Sequence, residues 1–250
     1  MSGHSKWATI KRKKGKADAE RGRKFTRLIK ELTVAAREGG GDPDGNPRLR
    51  TAIATAKAEN MPADNIKRAI QKGTGELPGV SYESATYEGY GPGGVALYME
   101  TLTDNKNRMV AEIRHVLTKY GGNLGANGCV AWMFDKRGVI IVDLESADED
   151  TLMEAALEAG AEDITSDTGS FEVVMEPAVL DDVRTAIEGQ GIKIESAEVT
   201  MIPQNTTKLT KESEANSMLK MIDLLEENDD IQKVYSNFDI DQALLEKLAG

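Results

Sequence analysis

The chain has 250 residues, 40% of them hydrophobic and 29% charged, with 31 Lys and Arg against 42 Asp and Glu for a formal net charge of −11. That length suits two or three domains with their own cores, and the composition is that of a soluble globular protein. No run approaches the ~20 apolar residues of a membrane span, the basic N-terminus has no apolar segment of a secretory signal behind it, and the one cysteine, Cys129, excludes an internal disulfide and fits a reducing compartment. The cytoplasm is the expected location.

The charge is unevenly distributed. The first thirty residues hold eleven Lys or Arg and two acids, Asp18 and Glu20; cut after Pro78, the chain carries +9 in front and −20 behind. Such asymmetry points to a basic arm that meets a polyanion, carried on an acidic body that does not.

Residues 1–20 are polar apart from Trp7 and Ile10, and Lys11-Arg12-Lys13-Lys14 repels itself, so a flexible arm is expected. Trp7 has two readings: an aromatic among cations that stacks on a base, or a side chain that packs back on the first helix. From about Arg21 to Glu38 the spacing of Phe25, Leu28, Ile29, Leu32, Ala35 and Ala36 predicts a helix with one buried face. Arg23, Arg27, Lys30 and Arg37 fall on the opposite side, a basic stripe back to back with the core stripe. Pro47 opens a second helix, and a third carries Ile66, Ala69 and Ile70 inward before Gly73, completing an expected three-helix bundle. The second and third helices allow a helix-turn-helix. The third, however, turns only Lys67, Arg68 and Lys72 outward, which suits phosphate contacts rather than the reading of base edges.

LPGVS (77–81) reads as a linker, and strands begin beyond it. Thr86–Glu88 and Val95–Leu102 flank a Gly-Pro-rich hairpin turn. Asp104 is the expected cap of a helix from Lys106 to Tyr120, GGNLGANG (121–128) leads to a strand at Cys129–Phe134, and Gly138–Leu144 reads as a separate central strand. Ser146-Ala147-Asp148-Glu149 has the form of a capping box. The order β-α-β-β-α-β over 137–202 is the ferredoxin-like pattern. A helix at 211–227, a strand at 231–238 and a short helix capped by Asp239 follow. The predicted fold class is α+β multidomain: arm 1–20, helical bundle 21–77, an α+β domain from 78–134 plus 206–250, and a ferredoxin-like domain, 135–205, inserted in it.

Catalytic chemistry is missing from this pattern. Gly128 is followed by Cys129-Val130 where a phosphate loop needs Lys and Ser or Thr. Gly91-Pro92-Gly93-Gly94 joins two strands, unlike a KH clamp, which joins helices. Both glycine-rich stretches read as turns, with Gly122 and Gly125 as points of close backbone approach. Cys129 reads as an inert buried thiol, and His4 and His115 are too few for a zinc site. No enzyme activity, metal or cofactor is expected.

Four long blocks carry a resemblance: SGHSKWATIKRKKGKADAERGRKFTRLIKELTVAAREGGGDPDGNPRLR, NMPADNIKRAIQKGTG, YEGYGPGGVALYMETLTDNKNRMVAEIRH and KYGGNLGANGCVAWMF. In them the chain closely resembles the YebC/PmpR family over about its first 135 residues. The resemblance implies a helical N-terminal domain followed by two α+β domains. It also implies a non-enzymatic regulator of gene expression: a probable transcriptional regulator that binds DNA or, as in the mitochondrial translational activators and ribosome-associated bacterial factors, a translation factor on the ribosome. The candidate nucleic-acid-binding residues are Lys6, Trp7, Lys11, Arg12, Lys13, Lys14, Lys16, Arg21, Arg23, Lys24, Arg27 and Lys30. DNA or rRNA is the expected partner, with the ribosome as one setting and no membrane. The −20 remainder favours the translation reading slightly, because it is poorly matched to wrapping duplex. A protein-interaction scaffold is the reading from another class.

Overall fold

The computed structural model describes residues 7, 17–167 and 169–249. The chain divides into two compact units, one formed by 11–130 with 210–234, the other by 131–209 with 235–250 and the first ten residues. Its described residues are mixed α and β, three helices first and then strands, mostly antiparallel, with further helices among them.

The first unit opens with α1 (Ala17–Gly39), α2 (Pro47–Ala58) and α3 (Ala63–Gly73). The helix α1 starts four residues before the expected Arg21, because Ala17 and Ala19 favour helix and nothing in 17–20 breaks it. Leu32, Ala35 and Ala36 of α1 close a shared core with Leu49, Ala52 and Ala56 of α2, Met61 of the turn, and Ile66 and Ala69 of α3. Asn46 fixes the α1–α2 corner: its side chain accepts from the Leu49 N–H at 3.1 Å and donates to the Ala35 and Gly40 carbonyls at 2.8 and 2.9 Å. Pro47 then takes the first helical position, where its missing N–H costs nothing. Small residues bring α3 close to α1. The Thr33 hydroxyl donates to the Ile29 and Ala69 carbonyls at 2.7 and 3.3 Å, and a Cβ on Gly73 would lie 2.4 Å from the Thr33 carbonyl.

Strands β1 (Glu83–Tyr90) and β2 (Ala96–Thr103) form an antiparallel hairpin with Thr86 opposite Glu100. Its turn needs Gly93 and Gly94, whose φ values are +69° and +78°. Helix α4 (Lys106–Lys119) and helix α7 (Glu212–Glu227) pack on each other, and the sheet order is β3 (Asn123–Leu124), β1, β2, β9 (Ile231–Ser236). The cap of α4 is Asn105, whose side chain accepts from the Arg108 N–H at 3.0 Å; the expected cap, Asp104, instead pairs with the Arg108 guanidinium. Gly122 is a point of close approach, since a Cβ there would sit 2.3 Å from the Tyr90 carbonyl.

In the second unit β4 (Phe134–Asp143) is one ten-residue strand where two were expected. Residues 129–133 instead turn, ending in a 3₁₀ segment at Ala131–Met133. Gly138 does not interrupt the strand. It makes room for Met175 and Leu180, whose atoms would lie 2.9 and 3.3 Å from a Cβ there. The sheet runs β5 (Asp163–Asp167), β6 (Ser170–Met175), β4, β7 (Ile194–Pro203), every pair antiparallel. Ile140, Val142, Phe171, Val173 and Met175 share a core with Leu152 and Ala156 of α5 (Glu149–Glu158) and with Val183 and Ile187 of α6 (Leu180–Gly189). Helix α5 is capped by Asp148, which accepts from the Thr151 N–H at 3.1 Å, not by Ser146 of the expected box. Strands β8 (Thr207–Lys208) and β10 (Phe238–Asp239) pair in parallel before α8 (Gln242–Ala249). Asp241, rather than Asp239, accepts from an N–H of its first turn, that of Ala243.

Gly73→Ala tests the α1–α3 contact. A methyl group 2.4 Å from a backbone carbonyl forces the helices apart, and a loss of about 2 kcal/mol is expected in chemical denaturation.

Candidate nucleic-acid interface

Lys6, Lys11, Arg12, Lys13, Lys14 and Lys16 lie outside the described residues, as does the conformation expected for most of the arm. Trp7 is described: it is helical and 8% exposed, so its ring is not offered to solvent as a stacking surface.

The basic side of α1 divides in two. Near its start, Arg21 is exposed with its guanidinium 5.5 Å from the Phe25 ring centre, and Arg23 forms no ion pair with a described residue. Lys24 meets Glu59 at 3.0 Å with both groups well exposed, a contact of little energetic weight that leaves the ammonium accessible.

One turn further the stripe turns inward. Arg27 donates to the carbonyls of Glu226 and, at 3.4 Å, Asn228, and burial holds its guanidinium below the ordinary arginine range. Lys30, only 6% exposed, donates to the Asp229 carbonyl at 2.8 Å and pairs with the Asp230 carboxylate at 2.5 Å. Arg37 donates to the Ser81 hydroxyl at 2.5 Å and to the Tyr82 carbonyl. Lys30 and Arg27 therefore fasten α1 to the end of α7 and the turn after it; the Lys30 ammonium is held within the protein, while the buried Arg27 Nε has no hydrogen-bond partner among the described residues. This departs from the expected phosphate-facing stripe.

Asp230 is the hub of that fastening. Its second carboxylate oxygen accepts from the Thr103 hydroxyl at 2.8 Å and from Arg108 at 2.7 Å, and Arg108 also holds Asp104 at 2.6 Å. Burial alone would raise the Asp230 carboxyl, but the hydrogen bonds from Lys30, Arg108 and Thr103 outweigh it and hold it below the usual range. Arg108 is pushed up by Asp230 and Asp104. Periodicity could not reveal this site, because its two halves are 200 residues apart. The one local signal is the polar turn Asn228-Asp229-Asp230 directly after an amphipathic helix.

A second hub that sequence reasoning missed is Glu88, 3% exposed on β1, whose carboxylate accepts from the backbone N–H groups of Gly128 at 2.6 Å and Val130 at 2.7 Å. It shapes the loop around Cys129. That thiol is half-buried rather than buried, and desolvation and the nearby Glu88 charge push it up, away from the nucleophilic thiolate. Among the described residues no group of three His, Cys, Asp or Glu side chains could hold a metal ion, and no helix is long and apolar enough to cross a membrane.

On α3, Lys67, Arg68 and Lys72 are exposed, and none forms a hydrogen bond or ion pair with a described residue.

These features define an α+β protein whose helical N-terminal part is locked to a sheet by a buried ion pair while other cations of the same helices stay at the surface. Two family models match it: the TACO1/YebC protein N-terminal domain over residues 5–76, and the TACO1/YebC second and third domain over residues 82–238. The chain belongs to the TACO1/YebC family. It is 63% identical over 240 residues to a probable transcriptional regulatory protein of Desulforapulum autotrophicum, covering 96% of this chain and 97% of that one. A protein of the same name from Syntrophus aciditrophicus is 60% identical over 251 residues, with both chains fully covered. A conserved hypothetical protein of Aquifex aeolicus, solved by crystallography, is 47% identical with a TM-score of 0.80 over 90% of this chain and 93% of that one.

Replacing Asp230 by Ala leaves the buried Lys30 ammonium with the Asp229 carbonyl but no carboxylate, and Arg108 with Asp104 and Glu112. A loss of about 3 kcal/mol at neutral pH is expected from denaturant melts, as for other broken buried pairs. The sign with pH follows from the lowered carboxyl: its stabilisation is complete above the unfolded Asp value near ~3.9 and is lost as pH falls through the lower folded value. The gap between parent and Asp230→Ala should therefore narrow below about pH 4.

Proposed function

We propose that this chain is a non-enzymatic regulator of gene expression that grips nucleic acid through its basic N-terminal region. The observation that carries the reading is the separation of charge, +9 up to and including Pro78 and −20 beyond it. Lys6, Lys11, Arg12, Lys13, Lys14, Lys16, Arg21, Arg23 and Lys24 neutralise phosphates in this reading, whereas Arg27 and Lys30 hold the fold and Trp7 is set aside as buried. Arginine and lysine without Asn or Gln partners give affinity without much sequence discrimination. We read 21–77 as a three-helix bundle beneath the arm, 135–205 as a ferredoxin-like domain, and 78–134 with 206–250 as the α+β domain that receives it. The names of the relatives support transcriptional regulation, and we place that role in the cytoplasm.

A second reading, a translation factor that binds rRNA on the ribosome, is favoured by the −20 remainder. An acidic surface avoids duplex wrapping and suits basic ribosomal proteins.

The test is binding across a salt series. If about five phosphates of duplex DNA are neutralised, log K falls against log salt with a slope near −4 to −5, and deleting residues 1–16 shallows it and weakens binding alike for all sequences. A slope near zero overturns the reading. Footprinting on a promoter against co-sedimentation with ribosomes separates its two forms.

A further inference from the structure

We infer that α3 is a second phosphate-binding element, in which Arg68 and Lys72 on successive turns, with Lys67 beside them, contact the sugar–phosphate backbone of the bound nucleic acid independently of the arm. This rests on the nucleic-acid reading above and adds to it a rigid surface that none of the arm residues supplies.

Lys67, Arg68 and Lys72 have no carboxylate partner among the described residues. Lys24, Arg48, Lys106, Arg108, Arg137, Arg184 and Lys211 pair with carboxylates, whereas exposed Lys57, Arg114, Lys136, Lys193, Lys208 and Lys220 form no ion pair with a described residue; α3 stands apart in carrying three such unpaired cations within six residues of one helix. Asp64 precedes Lys67 and Arg68 by three and four residues, the spacing at which helical ion pairs form, yet it pairs with neither. Arg68 and Lys72 are like charges four residues apart, which costs an isolated helix a few tenths of a kcal/mol that an external anion would reverse. Lys72 sits in the last turn, where a cation favours the helix dipole. That accounts for Lys72 but not for Lys67 and Arg68 in the middle of the helix.

The face that carries them is also rigid. Gly73 lets the end of α3 lie against the α1 backbone, and the Thr33 hydroxyl reaches the Ala69 carbonyl, so the direction of the outer face is fixed. The stem of Lys72 runs along Gly79, where a Cβ would lie 3.1 Å from the lysine Cβ. A charged group held on a packed helix loses less freedom on binding than one on a polar tail. The three side chains present only point charges and one guanidinium fork, so the contact reads phosphate and not sequence.

The experiment uses the full chain and two probes, a mixed-sequence duplex DNA and a mixed-sequence RNA hairpin, in fluorescence anisotropy over a salt series. The triple variant Lys67→Ala, Arg68→Ala, Lys72→Ala should bind the preferred probe about tenfold more weakly at low salt, with a slope shallower by about 2. The charge-preserving variant Lys67→Arg, Arg68→Lys, Lys72→Arg should bind as the parent does, and the triple alanine change should weaken the arm-deleted chain further. Which probe responds separates DNA from RNA as the source of the phosphate. A triple alanine variant indistinguishable from a parent that binds overturns the inference and leaves the arm reading intact, as does equal weakening by the charge-preserving variant. A parent that binds neither probe removes the nucleic-acid reading itself.

Discussion

The ion pair between Lys30 and Asp230 is the constraint on which the first unit turns. Taking both charges out of water costs several kcal/mol each, and attraction between them repays this only when the remaining donors and acceptors are satisfied. Here they are. The ammonium also reaches the Asp229 carbonyl, and the other carboxylate oxygen receives Thr103 and Arg108. Four segments meet at one side chain: the middle of α1, the end of β2, the first turn of α4 and the turn between α7 and β9. A buried pair of this kind adds little net stability over an apolar contact, but a displaced α1 would leave two charges uncompensated. Its effect is therefore to specify where α1 lies.

The same interaction sorts the cations of the N-terminal helices by role. A helix with a core stripe and a basic stripe invites the view that the basic side faces an external polyanion. On α1 only the first turns leave that side open to solvent, with Arg21 and Lys24 exposed and Arg23 half-exposed. From Arg27 onward, the stripe meets carbonyl oxygens, the Ser81 hydroxyl and one carboxylate of the same chain. The relevant difference is burial, which the spacing of charges along α1 does not contain.

Much of the architecture was legible because it rests on local chemistry. The α1 core face followed from period 3.6, the start of α2 from Pro47, and the hairpin turn from glycines that adopt positive φ. The element order of the sheet formed by β4 to β7 followed from alternation and turn residues. What failed were places where a neighbour distant in sequence decides. Residues 135–137 read as a gap between two strands, yet β4 runs through them and on past Gly138, where Met175 and Leu180 occupy the space a side chain would take. Asp104 and Asn105 are equally good caps on paper; Arg108 claims the first and leaves the second to accept its own N–H. In the candidate interface, the abundance of N-terminal cations was legible, whereas the commitment of Lys30 was not, because its partner lies in the last tenth of the chain.

This division gives the two sets of cations different responses to salt. Lys30 and Asp230 are both nearly out of solvent, and screening acts weakly on a buried pair. Arg21, Lys67, Arg68 and Lys72 lie toward solvent, where added ions compete directly for any phosphate they hold. Ionic strength sufficient to release a bound polynucleotide should therefore leave α1 docked, so that binding and folding can be varied separately. A basic helix that used one set of side chains for both tasks would not allow this: every released phosphate would loosen the helix that had held it.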